Sequence, residues 1–110
     1  MRPSKRLLLP ALLLVAGQAA LADNAGLMVQ GRLLFKQSAV PACALCHALR
    51  DAGAEGEVGP NLDELKPDAA RVAKALRNGI GQMPSYRGRL TEQQIETLAR
   101  YVVQASGASR

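Results

Sequence analysis

Five consecutive residues, Cys43-Ala44-Leu45-Cys46-His47, set two thiols and an imidazole at C-x-x-C-H spacing. Three chemistries compete for such a motif. A closed zinc site needs four ligands, usually Cys and His, and the whole chain holds two Cys and one His. A thioredoxin-like redox pair sits beside a βαβ pattern, and no alternation of strand and helix is legible here. Two buried cysteines beside a core histidine would leave the downstream pattern without a cause. The reading that accounts for all of it is covalent attachment of one haem. Each thiol, on one turn of helix, forms a thioether with one vinyl group, and the adjacent imidazole faces the iron. Cys43, Cys46 and His47 are therefore the expected cofactor-binding residues, with His47 also a metal ligand.

A small helical domain must position them. Leu27, Val29, Leu33, Leu34 and Phe35 fit helical spacing better than alternation, which predicts a first helix over 27–37, stopped by Pro41. A short helical turn is expected to carry Cys43 to His47. Gly53, Gly56 and Gly59 recur through 51–60, a loop that closes at Pro60. Pro67 suits the first position of a middle helix and Asp68 its positive end; Val72, Ala73 and Leu76 form the inward stripe up to Asn78-Gly79. A second loop over 79–89 carries Met83-Pro84. Thr91 with Gln94 three positions on is a capping box, Ile95, Leu98, Ala99 and Val102 recur at helical spacing, and Gly107 marks the exit. The expected fold class is all-α, with three main helices and short turns around one haem. Strand signals are too weak to predict a sheet.

The first 22 residues follow another logic. Arg2, Lys5 and Arg6 precede an apolar run over 7–16, and Ala20-Leu21-Ala22 supplies a small-residue cleavage signature before Asp23. This layout predicts a signal peptide over 1–22, a single haem-carrying domain over 23–110, and export to the periplasm. The apolar run is roughly half of the ~20 residues a bilayer crossing needs, so no transmembrane anchor is expected after cleavage. About 88 residues of the 110 remain, enough for one small domain. Cores of that size often need a staple, and the chain has no Trp, one Phe and two Tyr. The porphyrin is expected to supply much of the core, and the chain without it to be largely unfolded. Three of the 14 basic residues leave with the signal, so 11 remain against 9 acidic ones, about +2. No aromatic residues interleave a basic stripe, and nucleic acid is not an expected partner.

Further landmarks follow in a fixed order: Gly31 and Phe35, the C-x-x-C-H motif, Gly59-Pro60-Asn61-Leu62, Gly81-Gln82-Met83-Pro84, then Leu98 and Tyr101. Over nearly all of residues 25–105 the chain resembles the small class I (monohaem) c-type cytochromes. That resemblance implies the small cytochrome c fold with one covalent haem c. It implies that the carbonyl of Pro60, in the Gly-Pro pair, accepts a hydrogen bond from the proximal His47 and so belongs to the cofactor-binding set. It also implies a close approach of the last helix at Gly31, with Phe35, Leu98 and Tyr101 packed there.

For the sixth ligand the chain has no second His, and Met is the remaining soft donor. Met1 leaves with the signal, and Met28 lies upstream on the first helix, where packing is its expected role. Met83, in a Gly-rich loop downstream, is the expected second metal ligand. His/Met ligation raises the potential and leaves no open position on the iron. The expected function is then one-electron transfer from a dehydrogenase to a cytochrome or oxidase acceptor, with no catalytic residue of its own. A haem enzyme or gas sensor would need Met83 to leave the iron.

Within the family, the stretch from Asp51-Ala52-Gly53 through Gly59-Pro60-Asn61-Leu62 to Asp68, with Gly81 to Tyr86, looks most like cytochrome subunits that accept electrons from molybdenum sulfite dehydrogenases. Such a chain is either a tightly associated subunit of that enzyme or a free carrier serving another dehydrogenase or a terminal oxidase. Charge is unevenly placed. Arg50 against Asp51, Glu55, Glu57, Asp63 and Glu64 gives about −4, and Lys66, Arg71, Lys74, Arg77, Arg87 and Arg89 against Asp68 give about +5. The asymmetry either steers a partner or is an ordinary solvated surface.

Overall fold

The computed structural model describes residues 8–108, with side chains described from residue 17. Arg2, Lys5 and Arg6 of the expected signal peptide lie outside the described residues. Helix α1 runs from Leu8 to Leu33, straight through the expected cleavage point before Asp23. Residues 17–26 are all exposed, and Leu27 is the first buried position. Every residue described as buried thus lies downstream of that point.

The last turn of the first helix differs from a regular one. Leu34–Ser38 winds as a π turn, closed by the Ala39 N–H donating to the Leu34 carbonyl at 3.0 Å. A regular helix turns neighbours about 100° apart. Leu34 and Phe35 are adjacent and both buried, and the wider turn accommodates both on the core side.

Two short strands appear where none was expected. β1 (Ala48–Leu49) pairs antiparallel with β2 (Ala54–Glu55) around a tight turn that ends at Gly53, φ +61°. Strands of two residues carry no alternation for a periodicity reading to find. The body of the fold is all-α, as its helical spacing predicts.

A one-turn helix, α2 (Leu62–Leu65), follows, with the Asn61 side chain accepting from the N–H groups of Asp63 at 2.9 Å and Glu64 at 3.3 Å. Helix α3 (Ala69–Asn78) starts later than predicted. Asp68 is its N-cap, accepting from the Arg71 N–H at 2.8 Å, so Pro67 precedes the cap instead of opening the helix. A side-chain oxygen that takes up an open N–H outweighs the preset φ of proline in fixing the start. Helix α4 (Glu92–Ser106) opens on the full capping box: Gln94 N–H donates to Thr91 Oγ1 at 3.0 Å, and Thr91 N–H to Gln94 Oε1 at 2.9 Å. Gly107, at φ +80°, ends it.

Helix α4 packs against both α1 and α3. Phe35, Leu49, Leu76, Ile95, Leu98 and Tyr101 are fully buried around it. At Gly31 a Cβ would overlap Cβ and Cγ of Tyr101, so only glycine lets the two helices close to this distance. The rings of Phe35 and Tyr101 lie 6.1 Å apart, tilted by 59°, beside that crossing. No helix among the described residues is long and apolar enough to cross a membrane.

Candidate functional site

Cys43–Leu45 forms a 3₁₀ turn, and the His47 N–H donates to the Cys43 carbonyl at 2.9 Å. The motif is therefore wound as one helical turn. Both thiols are unpaired; Cys43 is buried and Cys46 half-buried. Burial pushes the Cys43 thiol up to about 12, against a backbone hydrogen bond that lowers it, while Cys46 raises it further. A thiol held neutral in this way is the opposite of the acidified thiolate a thioredoxin-like pair uses. Nor do three His, Cys, Asp or Glu side chains cluster as a metal site among the described residues.

The His47 ring is fixed from behind. Its Nδ1 lies 2.8 Å from the Pro60 carbonyl. A carbonyl only accepts, so Nδ1–H donates and the lone pair is left on Nε2, the nitrogen available to a metal. Two glycines bring the 56–60 loop this close. A Cβ on Gly59 would stand 2.6 Å from His47 Cε1 and 2.9 Å from Nδ1. One on Gly56 would stand 2.6 Å from the Cys46 carbonyl carbon and 2.7 Å from the His47 nitrogen. Gly59 N–H also donates to the Cys46 carbonyl at 2.7 Å. In the sequence Gly56 reads as loop punctuation, while Gly59 also stands in the Gly59-Pro60 landmark of the family resemblance.

Met83 is carried by the loop between α3 and α4. Ile80 and Met83 exchange backbone hydrogen bonds of 3.0 and 2.9 Å, flanking Gly81 at φ +56°. A Cβ on Gly79 would come within 2.8 Å of the Met83 carbonyl oxygen. The Met83 side chain is half-buried against the core, and Met28 likewise packs on it from α1. The loop reaches the segment just before Cys43 through Tyr86, whose hydroxyl donates to the Pro41 carbonyl at 2.5 Å, and Arg89, whose Nη1 donates to the Val40 carbonyl at 3.1 Å. Burial, with further contributions from Cys43 and Cys46, pushes the Tyr86 phenol up to about 12. It therefore stays a donor. Sequence reading missed both residues as site elements. The large apolar side chains of Val40, Leu45, Val58 and Ile80, from the segments that carry or adjoin these residues, are mostly exposed.

Charges are less free than the sequence suggests. Arg77 pairs with Glu92 at 2.8 Å, and Asp51 pairs with Arg32 at 3.0 Å. Asp51 also accepts from the Tyr101 hydroxyl at 2.6 Å, joining α1, the turn after the haem motif and α4. Burial, then the hydrogen bond to Asp51, raises the Tyr101 phenol above its ordinary range.

Residues 26–102 match the family described as cytochrome C oxidase, cbb3-type, subunit III. The chain belongs to this family of c-type cytochromes. Among curated proteins it is similar to cytochrome c-551 of Halorhodospira halochloris, 28% identical over 66% of this chain and 94% of the relative. Cytochrome c6 of Leptolyngbya boryana is 32% identical over 56% of this chain and 76% of its own. The crystal structure of the c-type cytochrome SorU from Sinorhizobium meliloti superposes with a TM-score of 0.71 at 53% identity, covering 76% of this chain and 94% of that one. The protein is thus a c-type cytochrome and an electron-transfer protein, of a family whose cofactor is covalent haem c. Two unpaired thiols on one turn, beside an imidazole with its Nε2 left free, form a donor set that fits that group.

Proposed function

We propose that the protein is a periplasmic one-electron carrier holding a single haem through Cys43, Cys46, His47 and Met83. The observation that carries this reading is the 2.8 Å hydrogen bond from His47 to Pro60, which orients the imidazole beside two unpaired thiols. The haem, when bound, supplies the ferric/ferrous couple. Cys43 and Cys46 hold it covalently, and Pro60 fixes the tautomer of His47 and makes the ring a better donor. Met83 would supply a thioether donor to the iron, a ligand type that favours the ferrous state. The chain then moves electrons and carries out no bond chemistry. Export through residues 1–22 is supported by the charged, apolar and small-residue order of that segment and by the absence of buried residues among 17–26.

Replacing both cysteines by alanine is expected to leave no haem that resists acid-acetone extraction. Met83→Ala should open the ferrous iron to carbon monoxide, abolish the far-red charge-transfer band of the oxidised protein and lower its potential, whereas Met28→Leu should do none of these. Loss of the band in Met28→Leu would overturn the assignment.

The donor we favour is a dehydrogenase, with the stretches 51–68 and 81–86 pointing to a molybdenum sulfite dehydrogenase. The acceptor is a cytochrome or a terminal oxidase. Stopped-flow reduction by sulfite dehydrogenase, set beside other periplasmic dehydrogenases, tests the choice. Reduction no faster than by an unrelated donor would remove sulfite oxidation from the reading.

A further inference from the structure

The loop that carries Met83 is attached in two directions. Behind it, Tyr86 N–H donates to the Leu76 carbonyl at 2.7 Å and Ser85 Oγ to the Arg77 carbonyl at 2.5 Å, binding the loop to the end of α3. Across from it, the Tyr86 hydroxyl and Arg89 reach the consecutive carbonyls of Pro41 and Val40. Pro41 lies two residues before Cys43. Both donors sit on one turn, closed by the N–H groups of Arg89 and Leu90 donating to the Tyr86 carbonyl at 2.9 Å. Tyr86 is 3% exposed, and its hydrogen bond to the half-buried Pro41 is partly shielded from solvent.

The two attachments do different things. Between α3 and Met83 lie Gly79 and Gly81, at φ +70° and +56°, and a Cβ on Gly81 would meet nothing within 4 Å. The Ile80–Met83 bridge and the packing of Gly79 on the Met83 carbonyl hold the loop's own turn, and its bonds to α3 tie it to that helix, but none of these reaches the segment that carries the thiols. The bonds to Val40 and Pro41 do, because they join the loop to the chain that carries the thiols.

We propose that Tyr86, assisted by Arg89, is a positioning residue for Met83: a clasp between the Met loop and the segment leading into Cys43 that sets how readily the Met83 thioether yields to an outside ligand. This rests on Met83 being an axial ligand. A phenylalanine at 86 would keep the ring in the core and leave the Pro41 carbonyl without its donor. The loop would then open more often, with the rest of the fold intact.

Imidazole titration of the oxidised, haem-loaded protein, followed by the Soret shift and the far-red band, tests the clasp. Tyr86→Phe is expected to bind imidazole about tenfold more tightly than the parent, or ~1.4 kcal/mol, the size of one net hydrogen bond. Arg89→Gln, losing a longer and exposed bond, should gain about twofold to threefold. In a Met83→Ala background neither substitution should matter, since the group they restrain is gone. Unchanged affinity in Tyr86→Phe, with Met83→Ala binding tightly, overturns the clasp and leaves Met83 ligation standing. A Met83→Ala protein whose far-red band and imidazole affinity match the parent overturns both. The same gain from Tyr86→Phe with and without Met83 would mean general loosening and would also overturn the clasp. If Tyr86→Phe fails to take up haem, Arg89→Gln with and without Met83 is judged by the same criteria.

Discussion

Around His47 the packing partner is backbone, with Gly56 and Gly59 pressed onto the Cys46–His47 peptide and the imidazole, whereas around Met83 the contacts are side chains reaching across from Tyr86 and Arg89. The proximal side is also compact in sequence, spanning only residues 43–60. The Met side is assembled from segments 45 and 49 residues apart. A ring set by backbone contact has little room to move; a loop held by two long side chains depends on hydrogen bonds that single substitutions remove. An electron carrier gains from the first, because a fixed proximal ring needs little reorganisation. With Met83 as the proposed ligand, the second would leave ligand exchange there open to adjustment by single substitutions.

Substitutions can break or sharpen that contrast. The largest effect is expected from Gly56→Ala, whose methyl would meet backbone atoms at 2.6–2.8 Å. Overpacking that cannot relax through a rotamer should cost about 3 kcal/mol and lower Tm by roughly 10–20 °C. A thermal melt within a few degrees of the parent would show that the proximal loop can give way after all.

Next comes Tyr101→Phe, which removes the 2.6 Å bond to Asp51 behind the proximal turn. Because Asp51 is partly solvated, the loss should lie near about 1.5 kcal/mol in chemical denaturation. The pH dependence has a definite sign. The folded protein holds the Tyr101 phenol above its ordinary value near 10, so the stability it contributes is complete below about pH 10 and falls as pH rises towards the folded value. Tyr101→Phe should therefore lose stability less steeply than the parent above pH 10. Parallel denaturation curves at pH 8 and pH 11 would contradict this.

On the Met side, Gly81→Ala meets no atom and pays only for its positive φ, about 1 kcal/mol, partly offset in the unfolded chain. It should lower Tm by no more than roughly 5 °C, well short of Gly56→Ala.

Surface charge should matter least for stability. Arg71 and Lys74 are exposed on α3 and have no ion-pair partner among the described residues, unlike Arg77. Reversing both to Glu is expected to change stability by less than about 0.5 kcal/mol, yet to slow reduction by an acidic donor about threefold at low salt. Reversal of Glu55 and Glu57 to Lys serves as the control. Equal rates from the two pairs, or rates indifferent to ionic strength, would make the asymmetry a solvated surface only.

The chain's own order of residues was enough for whatever local rules decide. The C-x-x-C-H turn, the Thr91–Gln94 capping box, the exit at Gly107 and the inward stripes of the helices each depend on neighbours within one or two turns. The contact of Gly31 with Tyr101 was legible only through resemblance, since nothing near Gly31 encodes the helix it meets. The start of α3 at Asp68 was also local, its side chain capping the Arg71 N–H three residues on, whereas tertiary structure alone decided the π turn that buries Leu34 with Phe35 and the two-residue strand pair. It also decided the Arg32–Asp51–Tyr101 link and the Tyr86–Pro41 clasp, which join residues 19, 50 and 45 apart. Periodicity and capping report the free energy of one segment with itself. A hydrogen bond between distant segments leaves no repeat in either, and it exists only once the core has brought them together.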